Sequence, residues 1–208
     1  MAAFWLFAFQ VVMAWIYMIP QVLNILEGKT GGLTLAMWFI FVAYLFLGLS
    51  LAVMAWKEKR EWIRVYTVII FAQWIVFILI LFLMCVNTVV WSVNDTFVCV
   101  VVAILSALTI IRLGLKDPMA RGWLAVWCKG TPQLYMAYTM WSIQSAEWIP
   151  FVSLMATNAT CIPRLIQVYM QGSRGGWDRP TKGLMLGEAV NVATWLIVNL
   201  VWIILNVF

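Results

Sequence analysis

Histidine is absent from the 208 residues, and only 10% of them are charged. The first absence removes the commonest general base and a common metal ligand. The second removes the charged surface that a water-soluble domain of this size carries. Cysteine is sparse too: Cys85, Cys99, Cys128 and Cys161 lie inside apolar stretches without the paired spacing of a disulfide framework or a zinc site, and read as small hydrophobes. No two carboxylates share an apolar stretch, and residues 183–207 contain no lysine that could carry a retinal Schiff base. These absences argue against an enzyme, a metal site and a bound cofactor.

What is present is apolar. Hydrophobic residues make up 65% of the chain, mean hydropathy is +0.99, and there are 14 tryptophans, a residue that favours membrane interfaces and solute sites. A spanning helix needs about 20 apolar residues. Seven stretches qualify, roughly 4–26, 33–56, 64–90, 96–115, 121–142, 148–171 and 183–207. The fold expected is an all-α, multi-pass integral membrane protein whose first partner is the lipid bilayer. The first stretch is too long for a signal-peptide core and lacks a basic segment before it. The short connections leave no room for a soluble domain.

Basic residues set an expected orientation. Lys57, Lys59, Arg60, Arg64, Arg112, Lys116, Arg121, Arg174, Arg179 and Lys182 cluster after the second, fourth and sixth stretches, against Lys29 alone on the opposite face. This bias places the N-terminus in the cytoplasm and the C-terminus outside. The net charge of +5 is thereby topological and implies no nucleic-acid partner.

Within this pattern a pair of residues recurs. Pro20-Gln21 sits late in the first stretch and Pro132-Gln133 late in the fifth. The duplication suggests two three-helix units, residues 1–92 and 118–208, made parallel by one inverting linker helix over 93–117, a 3+1+3 layout. The two Pro-Gln pairs, with Ser145-Ala146-Glu147-Trp148-Ile149-Pro150-Phe151, resemble the PQ-loop superfamily, which includes the SWEET sugar facilitators and the Pnu vitamin carriers. The resemblance implies facilitated transport of a sugar or a vitamin- or nucleoside-like molecule, with Pro20, Pro132 and Pro150 as hinges and Asn158 near the solute. Two positions depart from the family: the second stretch has Ala36 and Met37 where a hinge proline is expected, and it has no asparagine. The expected cytoplasmic N-terminus also departs from SWEETs and agrees with Pnu-type carriers.

A proline inside a helix removes a backbone hydrogen bond and needs a substitute partner in lipid. Gln21 and Gln133 stand ready to supply one. Polar residues at steps of three or four form stripes on several stretches: Gln10, Tyr17, Gln21 and Asn24; Thr131, Tyr135, Tyr138, Ser142 and Ser145; Ser153, Thr157, Thr160, Arg164 and Gln167; and Glu188, Asn191, Trp195, Asn199, Trp202 and Asn206. Such stripes predict a wet interior. Asn158, Asn191, Trp195, Tyr17, Tyr138 and Trp38 are the candidate contacts for a small polar solute. Lys129, Arg164 and Glu188 lie at similar depth and predict a buried cluster built on an Arg164–Glu188 pair. Without histidine, and with Glu188 held ionised, downhill transport by alternating access is expected. Alternatives are a proton-coupled carrier of amino-acid-like solutes, a non-transporting receptor of the same layout, or a homo-oligomer of either.

Overall fold

The computed structural model describes residues 2–207 as seven helices: α1 (Ala2–Leu26), α2 (Leu35–Glu58), α3 (Trp62–Cys85), α4 (Val93–Leu113), α5 (Pro118–Ile143), α6 (Phe151–Gly175) and α7 (Arg179–Val207). Met1 and Phe208, the outer bounds of the two expected halves, lie outside the described residues. The described residues contain no strand. Five helices, α1 to α4 and α7, are long and apolar enough to cross a membrane.

The other two, α5 and α6, are interrupted by polar residues, and on α6 these turn inward. Ser153, Thr157, Thr160, Arg164 and Gln167 are buried there, whereas Val152, Met155, Ile162 and Ile166 are exposed. A helix in water shows the opposite arrangement. The exposed apolar faces of α3 and α4, with Val76, Leu83, Val100, Ile104 and Leu108, repeat it. Lipid, which can solvate an apolar exterior but not a bare polar group, accounts for both.

Local signals fix the helix ends. Thr34 caps α2 by accepting from the Met37 amide at 3.3 Å, and Ser92 and Asp95 form a reciprocal capping box at α4. Asp117 caps α5 ahead of Pro118, where a missing amide costs nothing. Gly114 and Gly176 end α4 and α6 at φ of 80° and 90°, a backbone region where glycine is favoured.

α1 packs on α3 and α6, and α6 on α1, α3 and α7. α2 packs on α3, α4, α5 and α7, while α5 packs on α2, α4 and α7. Among the described residues α1 does not pack on α2, nor α5 on α6. The closest approach joins α5 to α7: a Cβ built on Gly122 would lie 2.7 Å from the Gly183 Cα, so two small residues let these backbones meet. α4 stays outside. Its buried residues are Asp95, Val98 and Val102, and Asp95 accepts from the Ala36 amide at 3.2 Å, tying this helix to the start of α2.

Two expectations are corrected here. Pro150 is the N-cap of α6, outside the helix interior, so it breaks no helical hydrogen bond and cannot be a mid-helix hinge. The proline inside α6 is Pro163. Arg64 is not a loop charge: it occupies the first turn of α3 and is fully buried.

Candidate functional site

α1, α2, α3, α5, α6 and α7 converge on a small, partly open cavity, and α4 contributes nothing to its lining. Tyr17, Phe41, Trp74 and Trp195 supply aromatic walls. Thr157, Thr160, Cys161 and Asn191 supply polar ones, and Lys129 and Arg164 the charge. The free space in this cleft suits water-sized molecules and takes a ring only when side chains part.

The sequence places these residues by simple periodicity. Thr157, Thr160 and Arg164 follow at helical spacing on the buried face of α6, and Asn191 and Trp195 are one turn apart on α7. Behind the cleft lies the only charged pair of the inner bundle among the described residues. Arg164 Nε is 2.9 Å from Glu188 Oε1, with both side chains almost fully buried. The contact is a charge contact and not an aligned hydrogen bond: the Nε and Nη2 groups of Arg164 have no hydrogen-bond acceptor. Its guanidinium carbon lies 3.7 Å from the centre of the Phe71 ring.

Glu188 is better satisfied than its partner. Tyr44 donates its hydroxyl to Oε1 at 2.8 Å, and Asn191 Nδ2 donates to Oε2 at 3.1 Å. Asn191 in turn accepts from Gln133 Nε2 at 3.2 Å, and Thr194 donates to the Gln133 carbonyl oxygen. Four helices thus hold one carboxylate. Lys129 completes the group with its Nζ 4.6 Å from the ring centres of both Phe41 and Tyr44.

At each end of the bundle, contacts link α1–α3 and their connecting loops to an end of α6 and the loop beside it. At the end marked by basic residues, Arg64 Nη1 donates to Asp178 Oδ2 at 2.8 Å and to the Ala55 carbonyl at 2.6 Å, and Lys59 donates to the Gly175 carbonyl. Burial pushes the Asp178 carboxyl up, but hydrogen bonds from Thr181 and the Arg64 guanidinium more than offset it and hold the group below its ordinary value. At the other end Asn24 Nδ2 donates to the Glu147 carbonyl at 2.8 Å. Trp38 meets Trp148 edge to face with centroids 6.0 Å apart, and Gly32, at φ 87°, lets its loop approach the Ser145 carbonyl.

Of the residues expected at the solute, Tyr17, Asn191 and Trp195 line the cavity. Three do not. Tyr138 is 60% exposed on the outer face of α5, because the polar residues that helix turns inward are the buried Gln133 and the half-buried, cavity-lining Lys129, one step round from the stripe of hydroxyls. Trp38 is wholly buried in the end closure. Asn158 accepts from Asn199 Nδ2 at 2.8 Å and is tied up between α6 and α7. The α7 stripe also runs out of the interior, since Asn206 is exposed. Gln21 is fully buried, yet neither end of its amide has a partner, so it does not satisfy the carbonyl freed by Pro20.

Tyr44 and Phe71, which position the charged pair, carried little warning. Tyr44 is a polar side chain in the middle of a mostly apolar α2, which is a usable signal; Phe71 is one of several phenylalanines in a mostly apolar α3 and gives none. Comparison with known protein families, with curated proteins and with solved structures gives no match to this chain.

Proposed function

We propose that this protein is a seven-span carrier of the PQ-loop type, in which α1–α3 and α5–α7 are two parallel halves that rock about a central polar cleft. The observation that carries the reading is the pattern of packing. Exchange α1, α2 and α3 for α5, α6 and α7, and every contact between them maps onto another: α1–α3 onto α5–α7, α2–α3 onto α6–α7, α1–α6 onto α5–α2, and α2–α7 onto α6–α3. Only the contacts of α4 break the exchange, as a linker's would. A cleft between two such halves, closed at each end by contacts that cross from one half to the other, has the parts that alternating access needs.

The charge bias supports a cytoplasmic N-terminus and a cytoplasmic Arg64–Asp178 closure. The solute is small and polar and moves down its own gradient. No carboxylate lines the cleft: Glu188 stands behind its wall with three partners, which supports transport without proton coupling. Purified protein in liposomes is expected to equilibrate small polar solutes, tested as hexoses, nucleosides, amino acids and ring carboxylates, and to stop at equilibrium. Uphill accumulation under an imposed proton or sodium gradient would overturn downhill transport. Binding without flux for every class would overturn the carrier and favour a receptor.

A further inference from the structure

We infer that the solute of the central cleft is a small ring-bearing monocarboxylate, bound through Lys129 Nζ and the free Nη2 of Arg164. The inference rests on the carrier reading and goes beyond it by assigning a charge to the cargo. The lining includes two cations and no acid. Arg164 is matched by Glu188, which stands outside the lining. Lys129 has no carboxylate partner among the described residues. One positive charge is therefore left over in the bilayer interior, where an ammonium is costly and is usually paired. The Phe41 and Tyr44 rings stabilise it from 4.6 Å but do not neutralise it.

Arg164 supplies the second observation. It is 5% exposed and lines the cleft, and its Nη2 has no acceptor, an expense that an arriving carboxylate oxygen would remove. A single negative charge balances the site; a dianion would leave it negative. The aromatic walls, Tyr17, Phe41, Trp74 and Trp195, fit a planar ring, and Thr157, Thr160 and Asn191 can hydrogen-bond its polar substituents.

The test is a charge series on one ring. Benzoate, benzamide, benzylammonium and phenyl phosphate are titrated against the purified full-length protein by thermal shift, then offered to proteoliposomes. Benzoate is expected to bind about tenfold more tightly than benzamide, and benzylammonium more weakly than either. Lys129→Met should bring benzoate and benzamide within about twofold of each other, while Lys129→Arg keeps the preference. Because the wild-type series needs no variant, misfolding of Lys129→Met does not blunt the test. Equal binding of benzoate and benzamide, or a preference for the ammonium, overturns the assignment and leaves the carrier reading standing. Tight benzoate binding with no flux does the reverse, and phenyl phosphate binding best overturns the monoanion in favour of a dianion.

Discussion

The two proposed halves of the molecule carry the same dipeptide and use it differently. In α5, Gln133 next to Pro132 bonds Asn191 and Thr194 of α7. In α1, Gln21 next to Pro20 is as deeply buried and bonds nothing. The difference lies in the helix each one packs on. α7 offers an asparagine and a threonine there, whereas α1 packs on α3 and α6, neither of which bonds the Gln21 amide. The second half has therefore collected the polar and charged residues of the cleft, with Lys129, Arg164, Asn191 and the Glu188 behind them, while the first half contributes rings. The proposed repeat does not require symmetric chemistry: on the carrier reading one half would bind and the other cover.

The largest effect should come from the second half's charge. Glu188→Gln leaves Arg164 uncompensated at almost zero exposure, and breaking a buried pair from one side costs about 3–5 kcal/mol. Chemical unfolding in detergent measures it. A double-mutant cycle with Arg164→Gln should show coupling of about 1–3 kcal/mol, and additive losses would mean that the contact contributes no energy.

The next comparison sets the two glutamines against each other. Gln133→Leu strands Asn191 Oδ1, while the Thr194 hydroxyl keeps the Val190 carbonyl at 2.8 Å, and should cost about 1–2 kcal/mol. Gln21→Leu removes a buried amide that has no partner in this closed state, and should raise stability by about 1 kcal/mol. If Gln21 finds a partner only when α1 bends at Pro20, the same variant also slows flux. Thermal unfolding read beside liposome uptake separates the outcomes. Loss of stability in Gln21→Leu would mean that the two halves are more alike than their hydrogen bonds show.

These contrasts also explain what could be read in the chain and what could not. Seven helices stand where seven stretches were expected, but only five of them are apolar enough to cross a membrane on hydropathy alone, since α5 and α6 carry the inward polar residues. The Arg164–Glu188 pair followed from depth, since buried charges of opposite sign at one level have few other solutions. The face of α5 did not follow. Thr131, Tyr135 and Tyr138 make a convincing stripe, but a phenol is also at home at the lipid interface, and the inward face proved to be Lys129 and Gln133, two residues too few to announce a period. Pro150 was misplaced because a proline two residues either side of a helix start changes from hinge to cap. The fate of Gln21 did not follow either, because a lone glutamine does not announce whether α3 or α6, the helices α1 packs on, will offer it a partner.

The smallest effects separate the two ends of the cleft. At the basic end Asp178 is held below its ordinary carboxyl value, so what it contributes to closure is complete at neutral pH, above the unfolded value of about 3.9, and is lost as pH falls through the lower folded value. Asp178→Asn removes that acid-side loss and should destabilise the closure by about 1 kcal/mol, because Arg64 is buried and keeps only the Ala55 carbonyl as a hydrogen-bond acceptor. The other end has an ion pair as well, Lys29 with Glu27 at 2.6 Å, but both side chains are more than half exposed. The Glu27 carboxylate raises the lysine's value, so any stabilisation is present below the unfolded lysine range and lost only in strong alkali. Water and salt screen such a pair. Lys29→Ala should leave unfolding and flux unchanged at neutral pH in both low and high salt, because Asn24, Gly32 and the Trp38–Trp148 contact close that end without charge. A salt-dependent change in flux for Lys29→Ala would show that both ends are gated electrostatically, and would remove the difference between them.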